Sequence, residues 1–407
     1  MINKRILSLL VLTGIMAGLV GIGFTNLMHF IQHLTYNYTE ADHLSFGLGV
    51  ANASPEHRVI ALLLCGVVGG VGWYVIHRFG SPLVDVKQAV TNPDKPMPTL
   101  TTLCHATLQI ITVGMGSPLG REVAPREASS ALITWVMKFV KVTKEERSLL
   151  IACASGAGLA AVYNSPLSAT IFVLETLLLT WNRKSLISAL IACGVATYIV
   201  RLGLGDTIQY DMMQPPLTGA MAAFSIVLGL VIGLAVVLFD KSQTALPTIN
   251  RKSPKMIFWF ILAFTFVGVM AMYFPSILGN GKAGNQLTFA ELVSWQYALG
   301  MFGTKWIAVV LALAVGAYGG KITPSMMLGS TLALALGVAW TAIIGPISLG
   351  AGAFLGAVVF LGLAQKMPLT SAVFMLELSR FSVEYLFPVT LAMGVGLLVQ
   401  QWLISRD

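Results

Sequence analysis

The chain has 407 residues, of which 56% are hydrophobic and only 10% are charged, and its mean hydropathy is +0.81. A composition this apolar excludes a soluble protein with a packed core and indicates an integral membrane protein. The net charge of +8 is spread over short connecting segments, which suits cytoplasmic loops that contact anionic lipid and gives no reason to expect a nucleic acid as a partner.

The N-terminal segment begins with Lys4 and Arg5, which precede a long apolar run. Signal peptides share this pattern, but no clear small-residue cleavage site follows, so we expect a retained first helix. The positive-inside rule then predicts a cytoplasmic N-terminus. At roughly 20 apolar residues per span, the chain has room for about a dozen or more crossings in one integral domain, with no soluble domain appended.

Apolar segments alternate with breaks along the chain. The first apolar blocks cover 6–34 and 58–78, and a break headed by Gly80, Ser81 and Pro82 leads into a short amphipathic helix that reaches residue 90. The chain is apolar again over 100–119, and a helix is expected to restart at Pro166 and to end near Glu175. Further spans are expected near 184–202, 217–239, 256–273, 301–318, 349–364 and 382–403.

Residues 114–125, with the sequence GMGSPLGREVAP, place Arg121 and Glu122 beside Pro125 within an apolar run. Ionised groups at membrane depth usually belong to an ion or proton pathway. A helix broken by Gly and Pro also leaves N–H groups at its start that, with the helix dipole, favour an anion. We interpret Glu122 as an ionisable gate beside an anion site; the alternative is an interface carboxylate paired with Arg121 or Arg126.

The chain contains an internal repeat. The motif GREVAP at 120–125 returns as GGKITP at 319–324, an offset of 199 residues, and PLSATIFVLE at 166–175 returns as PLTSAVFMLE at 368–377, an offset of 202. Interrupted segments at matching positions of two halves are the sequence sign of a transporter with its site near the midplane. The repeat predicts two transmembrane halves in one integral domain, 1–205 and 206–407.

These motifs, in this order and at this spacing, resemble those of the CLC family of anion channels and anion/proton antiporters. GREVAP resembles that family's GREGP motif, GGKITP its GxFxP motif, and GSPLV at 80–84 occupies the place of GSGIP. The resemblance covers nearly the whole chain. It implies an all-α integral membrane protein of the CLC-type fold, built from two inverted-topology repeats with broken helices. It also implies a homodimer in which each subunit has its own pore.

Departures from the common family pattern resemble the fluoride-exporting CLC-F branch. They are GREVAPRE in place of GREGP, a degraded GSGIP motif, Thr323 before the second-half proline, and GNGKAG at 279–284. The resemblance implies export of fluoride across the bacterial plasma membrane by fluoride/proton antiport. The alternative is a chloride or non-selective halide channel, or a chloride/proton antiporter, because the shared fold does not decide between them.

Glu122 resembles the family's gating glutamate, whose side chain competes with the anion and carries the proton, and Arg121 and Val123 flank it. Thr176 stands where many chloride/proton antiporters have a second, internal proton glutamate. This argues against their proton route but not against fluoride/proton exchange, because the fluoride branch also lacks that acid. The resemblance places no counterpart of the family's inner tyrosine within 381–407.

The anion filter is expected to take one contribution from each half. Backbone amides near Lys321, Ile322 and Thr323 resemble the second-half donors, and the Thr323 hydroxyl is a further candidate. In the first half, Ser81 fits a chloride-type alignment and Leu83 fits the fluoride branch, which often has Met there. We favour Leu83.

Lys321 departs from the fluoride branch, in which an acidic residue is expected. A lysine there reverses the local charge, and it attracts anions, pairs with Glu122 or merely faces the vestibule.

Glu175 and Glu377 occupy equivalent repeat positions at helix ends, and we interpret them as interface or paired carboxylates.

The remaining polar residues suggest neither a metal site nor an enzyme. Cys65, Cys104, Cys153 and Cys193 have no metal-binding spacing and are expected to be small buried hydrophobes, and His105 is expected to be a hydrogen-bonded packing residue. No Ser/His/Asp grouping, HExxH motif or Asp-rich pair appears in the sequence, so catalysis and cofactors are not expected. The expected partners are a fluoride or chloride anion, protons and the lipid bilayer.

Overall fold

A computed structural model describes residues 3–39, 45–247 and 249–405, and these form an almost entirely helical protein. The α-helices in chain order are α1 (Lys4–Tyr36), α2 (Phe46–Asn52), α3 (Pro55–Phe79), α4 (Val86–Thr91), α5 (Thr99–Gly114), α6 (Val123–Val136), α7 (Lys144–Tyr163), α8 (Pro166–Phe172), α9 (Arg183–Leu204), α10 (Gly219–Ala245), α11 (Lys255–Tyr273), α12 (Lys282–Phe289), α13 (Trp295–Ala314), α14 (Ile322–Ile343), α15 (Leu349–Ala364), α16 (Pro368–Ser379) and α17 (Leu386–Ile404). A π-helix (Val173–Leu178) continues α8, and short 3₁₀-helices (Pro275–Ile277 and Val383–Tyr385) precede α12 and α17.

Eight helical segments of the described chain are long and apolar enough to cross a membrane. They are α1, α3, α9, α10, α11, α13, α14 and the segment Val383–Ile404 that contains α17. Three further apolar segments, Pro166–Leu178, α15 and α16, are shorter. This is fewer full crossings than the dozen or more that length allowed, because short and broken helices use much of the chain. The prediction of an all-α, multi-pass membrane fold is confirmed.

The lipid-facing character of the long helices is clear on α11. Its buried side includes Phe260 and Phe264, whose rings stack with centroids 5.1 Å apart and which are 0% exposed. Phe258, Leu262 and Phe266 recur every four residues and are 62%, 50% and 50% exposed. A helix that is apolar on both its packed and its exposed faces is typical of a membrane span, in which hydrocarbon replaces water around the exposed face.

The chain forms two compact units. Unit 1 comprises Met1–Phe30, Gly72–Ile111 and Arg121–Gln209. Its centre is α7, which packs against both α6 and α9. At Gly158 a Cβ atom would lie 2.5 Å from the carbonyl oxygen of Pro125, so only glycine lets α7 approach the start of α6 this closely.

Unit 2 comprises Ile31–Val71, Thr112–Gly120 and Tyr210–Asp407. Its most extensive helix contacts are α14 with α15 and α10 with α17. Residues 31–71 and 112–120, which precede the predicted repeat boundary, thus pack within the unit that holds the second half. The division into halves at 205 and 206 stays a prediction from the repeat.

The first helix is tied to the start of α7 in unit 1. The guanidinium of Arg5 donates hydrogen bonds to both carboxylate oxygens of Glu146, with N–O distances of 3.2 and 2.9 Å. Glu146 also accepts a hydrogen bond from the backbone N–H of Thr143 and completes a capping box at the start of α7. The basic N-terminus and the basic segment before α7 therefore lie close together. The cytoplasmic location of the N-terminus stays a prediction.

Candidate functional site

Glu122 immediately precedes the first residue of α6 in unit 1, and its side chain is fully buried. The hydroxyl of Tyr163, the last residue of α7, donates a hydrogen bond to Glu122 Oε2 with an O–O distance of 3.1 Å. A tyrosine hydroxyl donates to an ionised carboxylate and can also accept from a protonated one. The pair can therefore accommodate Glu122 in both protonation states, which a proton carrier needs.

The start of α6 is electrostatically suited to negative charge. Helix α6 begins at Val123, which is half-buried, and the side chain of its N-cap residue Glu122 does not cap the first turn. The first N–H groups of a helix carry the positive end of its dipole. A buried carboxylate and a small anion would both be attracted to this position, and they would repel each other there.

Two arginines flank Glu122. Arg121 is 9% exposed, donates a hydrogen bond to the carbonyl oxygen of Val162 and lies with its guanidinium carbon 5.7 Å from the Tyr163 ring centroid. Arg126 donates from Nε to the Ser155 hydroxyl, and its charge faces Glu122. Arg121 also has a long contact of 4.0 Å with the sulfur of Met28 on α1. Both arginines are thus anchored on α7 by Val162 and Ser155, and they supply positive potential near Glu122.

The two repeated motifs meet at their glycines within unit 2. The N–H of Gly120 donates to the carbonyl of Gly320 at 2.6 Å, and the N–H of Gly320 donates to the carbonyl of Gly120 at 2.8 Å. A Cβ atom on Gly319 would lie 2.6 Å from Cβ of Leu119, so a larger residue would separate the two segments. This bridge joins the segments that lead into α6 and α14.

The second-half filter candidates lie at the start of α14. Ile322 is its first residue, Lys321 precedes it, and Ile322 and Thr323 are only 4% and 1% exposed. The predicted filter amides thus belong to the first turn of a helix, where N–H groups are available to an anion.

Lys321 has partners that the sequence did not suggest. Its ammonium group donates a hydrogen bond to Gln243 Oε1 at 2.8 Å, and its charge faces Asp240; both partners lie on α10. One residue before Gly319, the hydroxyl of Tyr318 accepts a hydrogen bond from Arg251, whose guanidinium carbon lies 4.3 Å from the Tyr318 ring centroid. Two cations, Lys321 and Arg251, are therefore held at the segment before α14, and their field favours the approach of anions.

The first-half filter candidates lie in the extended segment before α4. Ser81 is exposed, and its backbone N–H donates to the Thr101 hydroxyl at 3.2 Å, whereas Leu83 is half-buried. Among the described residues, no hydrogen bond joins either of them to Glu122. The choice between Ser81 and Leu83 stays a prediction.

Sequence reasoning missed two residues. Tyr163 was not identified, although an aromatic hydroxyl three residues before the helix break at Pro166 was a usable signal. Lys305 was also missed. It is 0% exposed on α13, and its ammonium group donates to the carbonyl oxygens of Ile277 and Gly279, each at 2.8 Å. A lone lysine within an apolar run was the available signal.

The cysteine prediction is correct for three residues and wrong for one. Cys65, Cys153 and Cys193 are buried, but Cys104 is exposed on α5. In a membrane protein the outer surface is as apolar as the core, so an apolar run does not by itself distinguish buried from lipid-facing positions.

The packing prediction for His105 is confirmed, because it is 1% exposed and accepts a hydrogen bond from the Trp73 ring.

Known proteins resemble this chain in both sequence and structure. The family model described as voltage gated chloride channel matches residues 65–401. Proteins named voltage-gated ClC-type chloride channel ClcB from Shigella boydii serotype 18 and Escherichia coli O81 are each 26% identical over 345 residues, which cover 82% of this chain and 80% of the relative.

Two solved structures share its fold. A slow cyanobacterial Cl⁻/H⁺ antiporter aligns with a TM-score of 0.84 at 18% identity, covering 99% of this chain and 96% of that one. A CLC-type fluoride/proton antiporter aligns with a TM-score of 0.76 at 18% identity, covering 98% and 95%. At this identity the likeness shows the fold and leaves the anion open.

Proposed function

The chain belongs to the CLC family of voltage-gated chloride channels and anion transporters, and on this premise we propose that it exchanges an anion for protons, with Glu122 as the gate and the proton carrier. The observation that supports the proposal is the buried Glu122 carboxylate at the start of α6, hydrogen-bonded to Tyr163. Proton exchange requires a carboxylate that is shielded from water yet stable in both protonation states.

The coupling follows from electrostatic repulsion at the start of α6. Two unit negative charges about 4 Å apart repel by about 4 kcal/mol at an effective dielectric constant of about 20. An anion and an ionised Glu122 therefore compete for the same N–H groups and the same positive helix end. Protonation removes the charge of the carboxylate and lets an anion take its place, and loss of the proton lets the carboxylate displace the anion.

For the transported anion we propose fluoride. The support is the resemblance of GREVAPRE, GNGKAG and Thr323 to the fluoride branch. Fluoride holds its water strongly, so a site that dehydrates it must return dense hydrogen bonding, for which helix-start amides and a buried threonine hydroxyl are suited. Thr323 is 1% exposed and lies in the first turn of α14.

Chloride is the second candidate. It is supported by the ClcB relatives, which are named as chloride channels. We further propose that the protein is a homodimer in a bacterial plasma membrane. Both proposals follow from family membership and from the ClcB relatives, which are bacterial.

Reconstituted protein should release fluoride from liposomes in clear preference to chloride. The measurement loads vesicles with equal concentrations of both salts and follows each anion with its own electrode under a clamped membrane potential. Comparable rates for the two anions would refute fluoride selectivity. A chloride rate well above the fluoride rate would favour the second candidate.

A further inference from the structure

A second, half-buried acid lies in unit 1, on the helix that follows Glu122. Glu127 on α6 has a side chain that is 14% exposed. The amide Nε2 of Gln109 on α5 donates to Glu127 Oε2 at 2.8 Å, and His105 Nε2 lies 3.4 Å from the same oxygen. Glu127 lies five positions after Glu122, which corresponds to about 7.5 Å along the helix axis.

The hydrogen-bonding pattern determines which group of this cluster can take up a proton. The Trp73 ring N–H donates to His105 Nδ1 at 3.2 Å, so Nδ1 is an acceptor and the single proton of the neutral ring is on Nε2, facing Glu127. A second proton on His105 would break the bond to Trp73. Glu127 is therefore the group that can change its protonation state while the other hydrogen bonds of the cluster remain.

Both neighbours of Glu127 on α5 face the same carboxylate oxygen. Oε1 accepts no hydrogen bond from any residue in the described part of the chain, so it is available to carry a proton. The charged groups close enough to interact with Glu127 are Arg126 on its own helix and Asp85, which caps the start of α4. Asp85 is exposed, and an exposed carboxylate is stable in water rather than in lipid, so Asp85 lies at an aqueous surface.

The equivalent positions of the second half carry no such cluster. With the 199-residue offset of the repeat, His105 corresponds to Thr304 and Gln109 to Ala308. The motif alignment of GREVAPRE with GGKITPSM places Met326 opposite Glu127. A scaffold function common to both halves would not require an acid in only one of them.

We propose that Glu127, held by Gln109 and His105, is a second proton-binding site that connects the aqueous surface at Asp85 with Glu122. The proposal rests on the proposed proton-coupled exchange. A hydronium ion transfers its proton to Glu127 Oε1, forming an O–H bond and leaving water, and release reverses this step. The two positions are about 7.5 Å apart along the helix axis and about 140° apart around it, so a chain of water molecules must complete the transfer.

The test measures proton and anion flux together in liposomes. Glu127→Gln keeps the acceptor for Gln109 but cannot bind a proton, so the ratio of proton to anion flux should fall about 100-fold while anions still cross. Trp73→Phe frees His105 Nδ1 for a second proton. The resulting imidazolium would stabilise ionised Glu127, so the pH at which coupling is half-maximal should move to lower values, a shift that a merely structural role would not produce.

Glu377→Gln, which removes a carboxylate from α16 outside this cluster, is the matched control and should keep the wild-type ratio. Infrared spectra recorded between pH 5 and 8 supply a readout independent of transport. The protonated-carboxyl band of wild type should lose one component in Glu127→Gln. If the wild-type protein moves no protons but the band component is present in wild type and lost in Glu127→Gln, the exchange proposal fails. Glu127 would then still be shown to bind a proton. If the flux ratio and the spectra of Glu127→Gln both match wild type, the Glu127 proposal is wrong.

Discussion

Replacing Glu122 with glutamine should abolish proton movement while anions continue to cross the membrane. Glutamine has the shape of the protonated acid, and its carbonyl oxygen can still accept the hydrogen bond from Tyr163. It cannot ionise, so it neither releases a proton nor displaces the anion electrostatically. Because the repulsion that couples the two ions is worth about 4 kcal/mol, its loss should reduce the proton-to-anion flux ratio by about 1000-fold, to background.

The measurement is simultaneous recording of external pH and anion concentration from liposomes that contain Glu122→Gln. Glu377→Gln, in an apolar helix of unit 2, is the matched carboxylate control and should pump protons as wild type does. Proton pumping by Glu122→Gln at the wild-type rate would exclude Glu122 as the proton carrier.

Replacing Lys305 with methionine should destabilise unit 2 by about 2–6 kcal/mol. The buried ammonium group satisfies the carbonyls of Ile277 and Gly279, at the start of the glycine-rich break before α12. Methionine fills similar space but donates no hydrogen bond, so two buried acceptors would lose their partner at a cost of about 1–3 kcal/mol each. An uncharged side chain costs less to bury than an ammonium group, so the net destabilisation should fall toward the lower end of this range.

Unfolding of the purified protein in mixed detergent and dodecyl sulfate micelles measures this loss as a free energy of unfolding. Lys255→Met, at an exposed position at the start of α11, removes the same ammonium group without removing a buried bond. That control should stay within about 0.5 kcal/mol of wild type. Equal stability of the two variants would show that the Lys305 hydrogen bonds contribute nothing.

Much of the helical framework is predictable from the sequence because membrane spans are long, apolar and bounded by charge. The spans expected at 256–273 and 349–364 match α11 and α15 almost to the residue. The number of crossings was overestimated because hydropathy does not separate a full span from a short broken helix such as α8 followed by a π-helix.

The candidate site was predictable as a set of motifs but not as a set of contacts. Broken helices and a lone acid identify Glu122 and the start of α14 from local sequence. The Tyr163 hydrogen bond joins residues 41 positions apart, and the Lys305 bonds join α13 to segments 28 and 26 residues earlier. Such contacts depend on how helices pack, which local pattern does not specify.

The partners of Lys321 were likewise not predictable from local sequence. The sequence showed that its charge departs from the fluoride branch and suggested attraction of anions, pairing with Glu122 or a vestibule position. The structure gives it Gln243 and Asp240 on α10 as partners, 78 and 81 residues earlier in the chain. An acid held nearby reduces the net positive charge that Lys321 presents to an anion.

Proton movement driven by an anion gradient tests the proposed exchange most directly. Liposomes that contain wild-type protein are given an outward anion gradient, no initial pH gradient and a membrane potential clamped at zero with a potassium ionophore. Exchange predicts that protons enter the vesicles as anions leave, and that they continue to enter against a growing proton gradient. Anion efflux without any proton movement would show a passive channel and contradict the proposed exchange.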